Sequence, residues 1–459
     1  MVVENTQGQE QQSIARVCNC LTRDNCNIGD ERWWQIICSE GTPVVAAVTG
    51  EYADVVFLWR EFPPQKDAAA TQAVYIDING VTDHHSFNMA QLTRIAGTDV
   101  WFYVAAIPLT WRGGYAFIPV PSALVQPDYA GNYSEKRQQH RQWLQQIFPL
   151  SCRDQLNPNG LTHCAWGSAK TPLHMPDAPL QPQWQPFDKL GGKSVAKATY
   201  TIDWQSEMLN DSRRVWLYST ASSEPQVLSK QHVAAEQPFS PEQPALPVVL
   251  LLDGRFWSES LPIYDALSCA TQEGVLPPAV YVLIDEVDGR RRHDDLSCNA
   301  TFWQAIMQEL FPVIAHYFTL SNDPQQTVVV GQSLGGLAAM FAALNWPERF
   351  GSVVCQSGSF WWPDFSIVKP PGDYVAPESP HLLSEMSRQV HDGLGRRAGL
   401  NIFMEVGSGE DIMIDLSQDM YCQLASQQHN IQYRVFEGGH ERLCWRGGII
   451  DGLSYIFSL

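Results

Sequence analysis

A chain of 459 residues, 44% of them hydrophobic, exceeds the length at which one core normally splits, so two domains with sizeable cores are expected. Its 49 acidic side chains against 30 basic ones give a formal net charge of −19, which argues against general binding to nucleic acid or an anionic membrane, since either needs a positive face. Eleven cysteines, an odd number, fit the reduced thiols of a cytoplasmic protein better than a disulfide framework. No apolar run reaches the roughly 18 residues of a membrane span, and residues 1–19 lack the apolar centre of a secretory signal.

Residues 1–40 read as an N-terminal extension. Its cysteines Cys18, Cys20, Cys26 and Cys38 offer a short C-x-C spacing with no histidine close by, so loosely ordered thiols are expected there and no metal site. Residues 41–171 are expected to form one domain, and within it 43–120 read as β, in runs such as Asp54-Val55-Val56-Phe57-Leu58-Trp59 and Ala73-Val74-Tyr75-Ile76-Asp77-Ile78, broken by turn clusters such as Asn79-Gly80. Short strands of this kind predict a β-sandwich, followed by a polar, partly helical piece over 134–150. Residues 172–195, with Pro172, Pro176, Pro179, Pro182 and Pro186, read as a stiff, extended linker. Within it Gly191-Gly192-Lys193-Ser194 imitates a phosphate loop, but Phe187 stands where the first glycine belongs and no strand precedes it.

From 196 to 459 strands alternate with helices. Val248-Val249-Leu250-Leu251-Leu252 and Val280-Tyr281-Val282-Leu283-Ile284 are continuous apolar runs, as strands buried on both faces require. Residues 301–318 have the pattern of an amphipathic helix. The alternation predicts an α/β domain with a mostly parallel, doubly covered sheet.

In that domain Val328-Val329-Val330-Gly331-Gln332-Ser333-Leu334-Gly335-Gly336 is a buried-strand pattern, then G-x-S-x-G, then a helix start. This is the pattern of an α/β-hydrolase nucleophile elbow, which exposes a serine hydroxyl on a sharp strand-to-helix turn. An ordinary serine on a glycine turn is the bland reading. A serine needs an imidazole to take its proton, and in this fold acid and histidine follow it in that order. Glu437-Gly438-Gly439-His440-Glu441 supplies a histidine in a late, flexible loop, whereas His381, His391 and His429 lie in polar or helical stretches. Glu410 is favoured as the acid, with Asp411 as alternative unless it caps a helix. The backbone amides of Leu334 and Arg255 are expected to face the oxyanion, Gly254 permitting close approach.

Those residues sit in long blocks that resemble one family. Gly80-Val81-Thr82-Asp83-His84-His85, Trp111-Arg112-Gly113-Gly114-Tyr115, Leu252-Asp253-Gly254-Arg255-Phe256-Trp257, Gln356-Ser357-Gly358-Ser359-Phe360-Trp361-Trp362-Pro363 and Gly438-Gly439-His440 leading to Cys444-Trp445-Arg446-Gly447-Gly448 are similar to the enterochelin (enterobactin) esterase family, over about residues 54–457. The resemblance implies an N-terminal β-sandwich of the E-set or immunoglobulin-like kind on an esterase-D-like α/β-hydrolase domain. It also implies cytoplasmic hydrolysis of the tri-serine lactone of a ferric catecholate siderophore, with no cofactor of the enzyme's own, iron arriving as part of the substrate. The family's catalytic positions fall on Ser333, His440 and Glu410. The anionic substrate calls for local cations, and Arg255, Arg292 and Arg446 in active-edge loops are the expected contacts, a salt-bridged arginine (with Asp294 or Asp295) being the rival. Trp257 and Trp362, with Phe360 and Trp361, are expected to stack on catechol rings, core packing being the rival. A monomer or weak oligomer is expected. Competing functions are a carboxylesterase or thioesterase acting on another ester, and a ferric-siderophore binding protein with an idle elbow; a carbohydrate-binding role for the sandwich is a further alternative.

Overall fold

Alternating apolar residues in the first part of the chain fold into two antiparallel sheets. The computed structural model describes residues 17–62, 70–158, 163–165, 168–221, 244–368 and 384–459, which group into two compact units. The first takes in the chain to Leu180 together with Glu437–Cys444, and the second takes in Gln181 onward and Trp445–Leu459.

In the first unit one sheet has the order β1 (Val44–Thr49), β2 (Tyr52–Arg60), β5 (Val100–Pro108), β4 (Thr93–Arg94), and the other β3 (Thr71–Ile78), β6 (Arg112–Pro121), β8 (Ser168–His174), β7 (His163–Ala165). Successive side chains on a strand point to opposite faces. Val55 and Phe57 of β2 therefore pack with Val74 and Ile76 of β3 and Phe117 of β6 in one core shared by the two sheets. The intervening residues, Val56 and Leu58, face the other way with Val100 and Phe102, and Trp33, Trp34 and Ile37 of helix Glu31–Glu40 cover them. The outer face of the second sheet, through Tyr75, Ile118 and Val120, is covered in the same way by Trp143, Leu144 and Ile147 of helix Tyr133–Ile147. That helix opens with a capping box between Asn132 and Glu135.

The N-terminal segment is thus no loose extension from residue 17 onward, because two tryptophans bury themselves in the sheet. The Trp33 indole also donates to the Leu21 carbonyl at 2.8 Å and the Trp34 indole to Asp99 at 2.9 Å. The proline-rich stretch differs from expectation as well. Pro172 lies within β8, opposite Gly114, beyond the last residue that β7 pairs, an edge position that proline tolerates. Trp184 and Phe187, past the unit boundary, are fully buried, so residues 181–190 are packed structure rather than a spacer.

The second unit is built on an eight-stranded sheet of order β16 (Asn430–Phe436), β15 (Asn401–Gly407), β14 (Ser352–Gln356), β13 (Thr327–Gln332), β11 (Val248–Leu251), β12 (Val280–Ile284), β10 (Asp211–Ser219), β9 (Tyr200–Ser206). The strands from β16 to β12 are parallel, while β10 runs antiparallel to β12 and β9. Every residue of β11 to β15 is buried, which accounts for their unbroken apolar runs. The expected long helix over 301–318 is instead Ala300–Ala305, a wider turn Ile306–Leu310 and Phe311–Ile314. Pro312 lacks the N–H that an unbroken helix needs there. No described helix is long and apolar enough to cross a membrane.

One buried ion cluster anchors the second sheet of the first unit. Asp77, 5% exposed at the end of β3, binds Lys170 Nζ of β8 and lies 3.1 Å from His84 Nδ1. Burial alone would raise this carboxyl, but Lys170 and His84 outweigh it and hold it well below the usual carboxylate range. A folded-state value below the unfolded one gives stability that is present above the unfolded pKa of about 3.9 and lost as pH falls toward the folded value. Urea unfolding of the intact protein should therefore show a marked loss of stability between about pH 5 and pH 2, part of which Asp77→Asn removes. That variant should also be weaker near neutral pH, because Lys170 is left buried without its counter-charge. Identical pH dependences for the two proteins would discount the cluster.

Candidate active site

The serine of the G-x-S-x-G run sits between β13 and helix Leu334–Asn345 with φ +58° and ψ −123°. A non-glycine residue in that region is strained, and three backbone hydrogen bonds hold it there. Ser333 N–H donates to the Gln356 carbonyl at 3.0 Å, and the Ser333 carbonyl accepts from Ser359 at 3.0 Å and from Leu337 at 3.1 Å. The turn is so tight that a Cβ on Gly331 would overlap the Gly335 carbonyl and stand 2.9 Å from Gly336 N. The Ser333 hydroxyl is 3.3 Å from that of Ser359. Leu334 opens the helix, so its N–H has no acceptor within the helix and adds to the positive end of the dipole beside Ser333.

Beneath the elbow runs a row of polar side chains that the strand register dictates. Gln332 of β13 pairs with Gln356 of β14, Gln356 with Glu405 of β15, and Glu405 with Arg434 of β16. Their side chains bond in the same order. Gln332 Nε2 donates to Gln356 Oε1 at 2.8 Å, Gln356 Nε2 donates to Glu405 Oε1, and Arg434 Nε donates to Glu405 Oε2 at 2.8 Å. Burial raises the Glu405 carboxyl, with Arg434 and Gln356 opposing it. Gln332 Oε1 at the other end accepts from the Trp257 indole at 3.0 Å.

Glu410, 7% exposed, follows β15. Its Oε1 accepts from Ser357 Oγ at 2.6 Å and from the Gly407 amide at 2.7 Å, and Ser357 Oγ in turn accepts from the Trp445 indole at 3.0 Å. Asp411 stands at the N-cap of helix Ile412–Ser426 with φ +44° but makes no side-chain cap bond, so the capping role weighed for it is not used. His440 is half-buried on the segment Glu437–Cys444, which by its contacts belongs to the first unit, whereas Ser333 and Glu410 belong to the second. His429 is committed elsewhere, its Nδ1 accepting from the Leu400 amide at 3.1 Å, and His391 faces Gln423; His381 lies outside the described residues.

Several expected ligand contacts turn out to be structural. Trp257 is fully buried with its indole on Gln332, and Phe360 is fully buried too, so of the aromatic set only Trp361 and Trp362 keep accessible ring surface. Arg446 is 1% exposed, bonded to Gln181 Oε1 at 2.7 Å and to both oxygens of Asp188 at 2.7 Å, over the Trp184 ring. Arg292 is buried and forks onto Asp253, with Nη2 2.7 Å from Oδ2; the salt-bridged reading holds, with a partner other than Asp294 or Asp295. The Arg255 amide, expected to face an oxyanion, donates at 3.4 Å to Glu286 Oε2. Gly254 does serve a close approach, but to the backbone of β12, where a Cβ would stand 2.6 Å from the Ile284 carbonyl carbon. The Arg255 side chain is half-exposed and pairs with Asp285 at 2.8 Å. With Arg214, Asp203, Glu259 and Asp285 it lines a cleft of about 490 Å³.

Sequence comparison decides the family. Residues 54–184 match the model described as the N-terminal part of enterochelin esterase and residues 228–456 that of a putative esterase. The chain is 39% identical over 431 residues to the iron(III) enterobactin esterase of Dickeya dadantii, covering 94% of this chain and 93% of that one. The chain belongs to the enterochelin esterase family. Its fold agrees with that of the ferric enterobactin esterase of Salmonella typhimurium, at TM-score 0.77 and 36% identity over 94% of this chain and 99% of the other. The enterobactin esterase of Shigella flexneri, solved in the presence of enterobactin, gives 0.74 and 35% over the same shares.

The residues missed by motif reasoning are those that brace the elbow: Gln356, Ser357, Ser359, Glu405 and Trp445. Two of the family's blocks carried the signal. Gln356-Ser357-Gly358-Ser359 ends β14 beside Ser333, and Trp445-Arg446 opens the final helix, yet polar residues in one block and an aromatic in another reveal their pairing only in three dimensions. In this member of the family the two arginines should separate cleanly. Arg292→Ala leaves Asp253 buried and uncompensated, and should cost about 3–5 kcal/mol in urea unfolding. Arg255→Ala removes a guanidinium that is half-exposed, although its partner Asp285 is buried, and should cost less than the Arg292 change.

Proposed function

We propose that this chain is a cytoplasmic serine esterase that hydrolyses the ester bonds of a ferric catecholate siderophore of the enterobactin type, freeing its iron. The single observation that carries the chemistry is the backbone of Ser333, held at φ +58° on a strand-to-helix turn. A protein that only bound the siderophore would have no use for that strain. The substrate class rests on the relatives, since similarity at 39% identity spans nearly all of both chains.

In the proposed reaction His440 removes the Ser333 hydroxyl proton as Oγ attacks a lactone carbonyl, and Glu410, fixed by Ser357 and the Gly407 amide, stabilises the imidazolium. The Leu334 amide stabilises the tetrahedral oxyanion. The intermediate collapses with the leaving serine hydroxyl taking its proton from His440, and water, deprotonated by the same imidazole, hydrolyses the acyl-enzyme. Side chains and water complete this cycle, so no cofactor of the enzyme's own is proposed, and the iron is cargo of the substrate.

Ser333→Ala should lower turnover by on the order of 10⁶-fold while ferric enterobactin still binds. Chromatographic analysis of products from ferric and iron-free enterobactin checks this, and cleavage persisting in the variant would remove the assignment. The substrate is anionic and Arg255 is, with Arg214, a half-exposed cation lining the cleft, so Arg255→Ala should raise KM with little change in kcat. The salt dependence of KM should flatten in parallel, since screening has one fewer exposed charge to act on. An unchanged KM and salt slope would take Arg255 out of the binding surface.

A further inference from the structure

The block Gly80-Val81-Thr82-Asp83-His84-His85 has no part in the chemistry of Ser333, His440 or Glu410, yet it lies against the histidine-bearing segment. Residues 437–441 have no helix or strand of their own, so what they touch sets their place. The Arg112 amide donates to the Glu437 carbonyl at 3.2 Å. Asn79 Nδ2 donates to the carbonyl of His440 itself at 3.4 Å, and Cys444 Sγ donates to the Arg112 carbonyl at 3.0 Å. Two glycines meet backbone to backbone: a Cβ on Gly439 would stand 2.7 Å from Gly80 N and overlap Asn79 Oδ1, and one on Gly80 would stand 2.7 Å from Gly439 Cα.

The surface they rest on is stiff. Gly80 has φ +72°, and the Asn79 amide donates to the Gly114 carbonyl at 3.0 Å. Val81 and Thr82 amides both donate to the Ile78 carbonyl at 2.9 Å, while the Thr82 hydroxyl accepts from the Ile78 amide at 2.8 Å. Further along, His84 is tied to the buried Asp77–Lys170 pair and its carbonyl lies 2.8 Å from His140 Nε2.

We infer that the Asn79–Gly80 turn of the first unit is the positioning element for the imidazole of His440. Asn79 and Gly80 fix the backbone on either side of the histidine Cα, and through it the nitrogen that must lie within hydrogen-bond reach of the reacting proton. The inference rests on the assignment of His440 as general base. It gives the Gly80–His85 block a function, and it makes turnover depend on residues far away in the chain from the base, Asn79 lying 361 positions before His440.

The test uses full-length Gly439→Ala, Asn79→Ala and His440→Ala. For each, KM and kcat for ferric enterobactin are measured with the unfolding midpoint, and the number of reactive Ser333 sites is counted by slow titration to completion with a fluorophosphonate. Displacing a catalytic group by about 1 Å costs on the order of 100-fold in rate. Gly439→Ala should therefore lose roughly 100-fold in kcat per titrated site with KM changed by less than about threefold, and Asn79→Ala should lose about tenfold in the same manner. A purely structural role predicts the opposite pattern, in which sites and unfolding midpoint fall while each remaining site turns over normally. Wild-type kcat per site in Asn79→Ala and in any folded Gly439→Ala, with His440→Ala inactive, would overturn the inference alone. Wild-type turnover in His440→Ala would instead overturn the assignment of the base.

Discussion

A serine held in left-handed backbone space is the constraint around which the second unit is organised. Strain of this kind costs of order 1–3 kcal/mol and persists only where the surroundings over-determine it. Here the surroundings are backbone bonds from Gln356, Ser359 and Leu337 and, one residue below, the polar row Gln332–Gln356–Glu405–Arg434. Because that row follows the register of four adjacent parallel strands, a slip of any one strand would break a side-chain bond inside the core. The row therefore fixes the register as well as supporting the elbow, and the strand ends around Ser333 inherit its precision.

The same logic explains what the arginines do. A guanidinium near an active edge looks, in sequence, like a ligand contact for an anionic substrate. Arg292 and Arg446 instead reach carboxylates at Asp253 and Asp188. A long side chain with a planar fork finds the nearest carboxylate pair, and sequence position does not say which one that is. Within a chain of net charge −19, acidic partners are abundant, so an arginine left with substantial exposure, such as Arg255 or Arg214, is the more telling observation.

How legible the molecule was in its sequence follows from the range of the interactions concerned. The sheet strands were readable because burial on both faces leaves a continuous apolar run, as in β11, β12 and β13. The elbow was readable because its steric demands fall on immediate neighbours, Gly331 above all. Periodicity failed at Pro312, where a missing N–H interrupts an otherwise helical pattern, and at residues 172–190, where proline content suggested a spacer and tertiary packing of Trp184 and Phe187 prevailed. The helix Glu31–Glu40 was overlooked because its buried stripe is short, Trp33, Trp34 and Ile37, and only the presence of a sheet face to cover gives it meaning. Glu410 and the adjacent Asp411 look alike in sequence; that Glu410 takes the Ser357 hydroxyl and the Gly407 amide is visible only in the folded chain.

The final helix, Arg442–Phe457, shows how a costly sequence choice can record a distant contact. Glycine inside a helix costs about 1 kcal/mol relative to alanine, yet Gly448 lies in its interior. A Cβ there would stand 2.5 Å from Gln356 Nε2 and overlap the Glu405 carboxylate, the two central members of the polar row. The helix must come this close because the Trp445 carbonyl accepts from Gln356 Nε2 at 2.9 Å and the Trp445 indole reaches Ser357. One turn of helix thus braces both the row beneath the serine and the hydroxyl that orients Glu410. The two contacts offset the destabilisation at Gly448, which ties the support beneath Ser333 and the placement of Glu410 to a single packing event.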